Sequence, residues 1–242
     1  AALPAPKPGD GRTHVPIVAA RRLKNAAASP VLGCMIGPFS LAGRIFGVSE
    51  ALEATALDPE PVLGLLEKVT DFQIAYAKAF RETGVAGVVM AEPAAGLLSP
   101  AGLGRFSAPF VKRIVKEVQT RDFAIVLHNC GAKLVHLDKV LESGAGIYHF
   151  GAAMDMAEAL ERVAGRVILG GNLDPAAVFL NGTPESVRTA TLALLEATKD
   201  YENYFISSGC DLPPGTPLDN IEAFYKAVAD FSGRGHTAYW PS

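Results

Sequence analysis

The chain has 242 residues, 49% of them hydrophobic and 19% charged, with 22 Lys and Arg against 25 Asp and Glu for a net charge of −3. That length and apolar content can fill the core of one large α/β domain. The slight acidity and the lack of a basic block argue against nucleic acid as the main partner, because phosphate neutralisation needs clustered Lys and Arg, and no apolar run is long enough to span a membrane.

Residues 1–13 are rich in Pro and Gly and read as an extended leading stretch without the apolar core of a signal peptide. A helix is expected over residues 15–25. The apolar run 30–36 reads as a buried strand, with Cys34 as a small core residue. Gly37-Pro38-Phe39 then turns the chain into a helix over 41–46. Asp58-Pro59 has the form of an N-cap followed by a first-turn proline. It opens a helix to about residue 81, with Leu63, Leu66, Val69, Phe72, Ile74 and Ala77 inward.

Five further strands are expected at 85–91, 123–127, 146–150, 166–170 and 204–207. Helical patterns fill the gaps near 105–120, 132–142, 155–164, 184–199 and 217–232. Thr183-Pro184 and Thr216-Pro217 again have the form of helix starts. Continuously apolar strands alternating with helices predict a parallel sheet covered by helices, in a single domain over 1–242. No Gly-x-Gly-x-x-Gly follows a strand, which disfavours dinucleotide binding.

The polar residues gather just after the strands: Glu92, His128 with Cys130, His149, Asn172 with Asp174, and Cys210 with Asp211. Convergence of several strand ends on one site suits a (β/α)8 barrel, whose chemistry sits on the C-terminal face. His128 and Cys130 are two apart just after a strand and project to one side if the extended geometry continues through them. With Cys210 they make a three-ligand set, which is the number that catalytic zinc uses while keeping a fourth position open. Glu92 is a candidate fourth ligand or general base, or else a cap. His149 is read as orienting a ligand, touching substrate, or simply ending its strand. Asn172 and Asp174 either line the pocket or, in the case of Asp174 before Pro175, cap a helix. Asp211 either supports a ligand or is a loop carboxylate. His14, His136 and His236 are given no role. The three cysteines, an odd number, favour a reduced, cytoplasmic setting over a secreted disulfide framework.

Ile36-Gly-Pro-Phe39, Gly170-Gly-Asn-Leu-Asp-Pro175 and Gly209-Cys-Asp-Leu-Pro-Pro-Gly-Thr-Pro217 resemble the uroporphyrinogen decarboxylase superfamily over residues 10–232. The resemblance implies a (β/α)8 TIM barrel in which the six strands are the third to eighth, the first two lying N-terminal of Ala1. His128-Asn-Cys130 with Cys210, and Tyr148-His149-Phe150-Gly151 followed by Asp155-Met156, resemble the zinc-dependent methylcobamide:coenzyme M methyltransferase branch. That branch implies methyl transfer from a methylated corrinoid, carried by a corrinoid protein, to a small thiol such as coenzyme M. Catalytic roles then fall to Glu92, His149 and Asp174, cofactor contacts to Asn172 and Asp211, and zinc ligation to His128, Cys130 and Cys210. Two alternatives remain open: cofactor-free decarboxylation of a tetrapyrrole carboxylate, and a non-catalytic barrel that binds a corrinoid or its carrier. The acceptor thiol and the oligomeric state are not legible in the sequence.

Overall fold

A computed structural model of the chain describes residues 5–233; His236 lies outside them. Six strands, β1 (Leu32–Ile36), β2 (Gly87–Ala91), β3 (Ala124–Asn129), β4 (Ile147–Phe150), β5 (Ile168–Leu173) and β6 (Tyr204–Ser208), form a sheet whose order follows the chain. Helices separate each strand from the next. A doubly wound sheet reverses its strand order at a switch point. This order never reverses, which is the winding of a (β/α)8 barrel and settles the fold class as α/β of that kind. No helix among the described residues is long and apolar enough to cross a membrane. The chain falls into two compact units, Ala1–Tyr148 and His149–Ser242.

In the first unit β1, β2 and β3 run parallel, with Met35 beside Met90 and Met90 beside Leu127. Its helices are α1 (His14–Ala26), α2 (Pro38–Phe46), α3 (Val48–Leu57), α4 (Glu60–Arg81), α5 (Pro100–Phe106), α6 (Ala108–Val118) and α7 (Leu137–Leu141). The apolar residues of α6, Phe110, Val111, Ile114, Val115 and Val118, are buried. Their spacing of three and four makes one stripe of a helix, and each large side chain contributes about 1.5–3 kcal/mol by leaving water. α4 packs along the same layer. Its buried stripe runs through Leu66, Val69, Gln73, Ala77 and Phe80, so Gln73 takes the inward place expected of Phe72 and Ile74. The amide earns that place because its Nε2 donates to the Ile36 carbonyl at 2.7 Å, satisfying the end of β1. On the outside, the Arg113 guanidinium reaches from α6 to Glu67 and Asp71 of α4.

In the second unit β5 and β6 are parallel, with Asn172 beside Ser207 and Leu173 beside Ser208. Its helices are α8 (Met156–Val163), α9 (Pro184–Thr198) and α10 (Leu218–Phe231). The core gathers Leu173, Phe179, Val187 and Phe224, with the two phenylalanine rings 5.5 Å apart. Asn220, buried on α10, donates from Nδ2 to the carbonyls of Phe179 at 2.7 Å and Gly182 at 2.9 Å.

The strands lie where the sequence places them, within two or three residues. Several details differ. Cys34 is exposed and is not core packing. β1 buries only its alternate residues Gly33 and Met35, because only one face of this first strand in the order is covered. The helix expected near 105–120 is α6, and α5 before it was not anticipated. Ser107 separates them, and Pro109 in the first turn of α6 cannot donate the hydrogen bond that would continue α5. α3 was not anticipated; Gly47, at φ 101°, separates it from α2. A π-helical turn at Pro175–Leu180 was likewise not anticipated. Thr183 does cap α9, its hydroxyl accepting from the Ser186 amide. Thr216 instead turns back to the Pro213 carbonyl.

Candidate metal centre

In the first unit the end of β3 presents His128, and the turn that follows carries Cys130. Three contacts hold that turn. The Asn129 Oδ1 accepts from the Gly131 amide at 3.2 Å, closing an Asx turn around Cys130. The His128 carbonyl accepts from the Glu92 amide at 2.8 Å, so the segment after β2 stays in register with the end of β3. Gly96, in the 3-10 turn Pro93–Leu97, lies directly on the turn. A Cβ there would stand 2.7 Å from Asn129 Oδ1 and 2.7 Å from the Gly131 carbonyl carbon. Further along, the buried His136 accepts at Nδ1 from the Lys133 amide, which fixes Nε2 as the protonated nitrogen that donates to the Leu98 carbonyl. The imidazole thereby braces the loop after Cys130 against the loop after β2.

In the second unit Cys210 follows β6 by two residues. Gly209 before it donates to the Leu173 carbonyl at 2.6 Å. A Cβ on Gly209 would come within 2.9 Å of the Ala152 nitrogen and 3.0 Å of the Gly151 Cα. Each cysteine thus adjoins a glycine seated against another glycine's backbone.

Among the described residues, His128, Cys130 and Cys210 form a group able to hold a metal ion, with one ligand atom from each and all of these atoms within 4.8 Å of one another. Zinc with Zn–S near 2.3 Å and Zn–N near 2.0–2.1 Å in tetrahedral array sets its ligand atoms about 3.5–3.8 Å apart. One imidazole and two thiols are donors of the kind that zinc takes. Among the described residues the group has these three members, and three protein ligands is the number that catalytic zinc uses.

The other residues singled out from the sequence sit as follows. Glu92 is buried, its carboxylate set at the start of α2. Oε1 accepts from the Phe39 amide at 2.7 Å and the Ser107 hydroxyl at 3.0 Å, and Oε2 from the Ser40 amide at 2.9 Å. Burial pushes its pKa up, while the hydrogen bonds from Ser40, Phe39 and Ser107 pull the other way. The carboxylate therefore has cap geometry. Asp174 also caps, its Oδ1 accepting from the Ala176 and Ala177 amides at 2.8 Å each. Asn172 spends its amide on the carbonyls of Gly151 and Met154. Asp211 is exposed.

His149 on β4 reaches Ser207 on β6, with Nε2 and Oγ 2.7 Å apart. The Ser207 hydroxyl donates to the Ser208 carbonyl at 3.0 Å, so Nε2 is the nitrogen that carries the proton between them. On the intervening strand Gly170 makes room for the Phe205 ring, which an added Cβ would strike. Ser207 and Gly96 escaped the sequence reading, and His136, given no role there, is the brace between two loops.

The uroporphyrinogen decarboxylase (URO-D) family model matches residues 1–231. A protein named methylcobamide:CoM methyltransferase MtbA, from Methanosarcina mazei, is 33% identical over 205 residues, which cover 84% of this chain and 58% of that protein. A uroporphyrinogen decarboxylase from Coxiella burnetii is 30% identical over 213 residues, covering 84% of this chain and 58% of that one. The solved structure of a methyltransferase from Methanosarcina mazei superposes with a TM-score of 0.84 at 23% identity, over 96% of this chain and 68% of that one. That likeness bears on the fold. The chain spans little more than half the length of the curated relatives it matches.

Proposed function

Because this chain belongs to the uroporphyrinogen decarboxylase family, we propose that it carries the thiol-activating centre of a methyltransferase, moving a methyl group from a methylated corrinoid to a small thiol. The observation that carries this reading is the His128, Cys130 and Cys210 group, whose ligand atoms lie within 4.8 Å of one another. The name of its relative MtbA supports the same chemistry.

A free thiol has a pKa near 8.5 and is a poor nucleophile at neutral pH. A zinc ion held by these three residues would supply thiolate at neutral pH, because a coordinating thiol is deprotonated outright. The chain's own contribution is charge and aim. Cys130 and Cys210 bring two anionic sulfurs, which leave an incoming sulfur electron-rich and hence nucleophilic. His128 keeps the set from being all thiolate. Asn129, Gly96 and the Glu92 amide hold the turn that sets the height of Cys130. His149 and Ser207, hydrogen-bonded to each other, are this reading's candidates for contact with the acceptor thiol. The Glu92 and Asp174 carboxylates serve the architecture, and Asp211 is the exposed candidate for contact with a corrinoid or its carrier protein.

Removing one sulfur tests this reading. Cys130→Ser is expected to lower zinc content and methyl transfer from methylcobalamin to coenzyme M together. Full zinc and full activity in that variant would overturn it. Decarboxylation is the second reading, favoured by the 30% identity to the Coxiella burnetii enzyme. It predicts release of carbon dioxide from a uroporphyrinogen that is indifferent to Cys130→Ser.

A further inference from the structure

We propose that Asn172 is a positioning residue for the sulfur of Cys210, acting through the Gly151–Met154 turn instead of touching substrate or cofactor. The proposal rests on the reading of Cys210 as a metal ligand.

The geometry is a two-sided grip within the second unit. Asn172 is 8% exposed, and both hydrogens of its amide are committed. Nδ2 donates to the Gly151 carbonyl at 3.1 Å and to the Met154 carbonyl at 2.6 Å. These are the two ends of one tight turn, which the Met154 amide also closes onto the Gly151 carbonyl at 3.1 Å. The side chain therefore fixes the turn as a rigid body. Gly209 lies on that turn so closely that an added Cβ would stand 2.9 Å from the Ala152 nitrogen and 3.0 Å from the Gly151 Cα. From the other side the Gly209 amide is bound to the carbonyl of Leu173 at 2.6 Å, the residue after Asn172 on β5.

Asn172–Leu173 thus holds the floor with a side chain and the passenger with a carbonyl. The next residue after the passenger is Cys210. An amide with both hydrogens spent on main-chain carbonyls has no donor left for a ligand. Its short, two-donor fork fits carbonyls at both ends of one turn, which neither a hydroxyl nor a carboxylate can do. Residues that orient metal ligands typically cost about 10–100-fold in metal affinity when lost.

The test compares the whole chain with its Asn172→Ala variant by two measurements. In metal-free protein, iodoacetamide labelling of each cysteine is followed by peptide mass spectrometry, with the exposed Cys34 as internal reference. Asn172→Ala is expected to change the labelling rate of Cys210 several-fold and leave that of Cys34 unchanged. In protein loaded with cobalt(II), the thiolate-to-cobalt absorption is expected to shift or weaken, and zinc affinity to fall roughly 10–100-fold. Gly209→Ala leaves the amide in place and lifts the seat from the other side. It is expected to reproduce both changes, and it serves alone if Asn172→Ala does not fold. Unchanged Cys210 labelling and an unchanged cobalt spectrum, alongside lost methyl transfer, would place Asn172 on the substrate and overturn the proposal. If the parent binds no metal, the metal reading fails, while the labelling still decides whether Asn172 seats Cys210.

Discussion

Gly96→Ala is the sharpest mechanical probe of the Cys130 turn. The new methyl would start 2.7 Å from Asn129 Oδ1, 2.7 Å from the Gly131 carbonyl carbon and 2.8 Å from its Cα, whereas ordinary contact begins at 3.4 Å. The turn must therefore retreat by about 0.7 Å, the gap between these two distances. Two of the three obstacles are main chain, so no rotamer change relieves them. Forced overpacking of this kind costs about 1–3 kcal/mol. The shift also exceeds the roughly 0.2 Å tolerance on metal–ligand distances, so zinc affinity is expected to fall at least about tenfold. Urea unfolding measures the first quantity and competition with a chromophoric chelator the second. Gly64→Ala is the matched control. Gly64 is exposed within α4, and nothing lies within 4 Å of an added Cβ there. That substitution should stabilise by about 0.4–1 kcal/mol and leave metal binding alone. A Gly96→Ala variant with parental stability and parental zinc affinity would refute the argument that this glycine seats Cys130.

Other consequences follow from the same contacts. Burial holds the Glu92 carboxyl above its ordinary value of 4.5, so the folded chain binds its proton more tightly than the unfolded one. The stability Glu92 lends is then fully present below about 4.5 and is lost as pH rises through the raised folded value. Unfolding free energy measured against pH should show that fall in the parent and lose it in Glu92→Gln; an identical slope in both contradicts the assignment. Asn220→Ala leaves the carbonyls of Phe179 and Gly182 without their donor. It should cost about 1–3 kcal/mol in urea unfolding with no change in zinc content, and a variant as stable as the parent would contradict the bracing role. Cys210→Ser should lower zinc content as Cys130→Ser does, while Cys34→Ser, on the exposed face of β1, should retain it. Loss of zinc in all three alike would point to general misfolding.

The strands were legible because a parallel sheet buries continuous apolar runs, and the run opening β3, Ala124 to Leu127, carries that signal on its own. The His128-x-Cys130 spacing was equally plain, although Cys130 is carried by an Asx turn just past the end of β3 and not by strand alternation. What escaped depends on tertiary approach. Gly96 matters only because the loop after β2 meets the turn after β3. Ser207 meets His149 only through the fold, 58 residues along the chain. Cys34 read as core because its neighbours are apolar, but the cover on β1 is one-sided. The helix expected near 105–120 starts only at Ala108, because Ser107 and Pro109 set a new helix start there. Glu92 and Asp174 illustrate another limit: a carboxylate after a strand looks the same in sequence whether it faces a ligand or a helix start, and here both accept main-chain amides.

The central claim is that His128, Cys130 and Cys210 hold zinc and leave a place for a thiol. Zinc-edge X-ray absorption on protein reconstituted with one equivalent of zinc, before and after adding coenzyme M, tests it most directly. The account predicts about one zinc per chain with two sulfurs and at least one nitrogen in its first sphere, gaining a third sulfur when the thiol is added. Failure to retain zinc, or a sphere without sulfur, would contradict it.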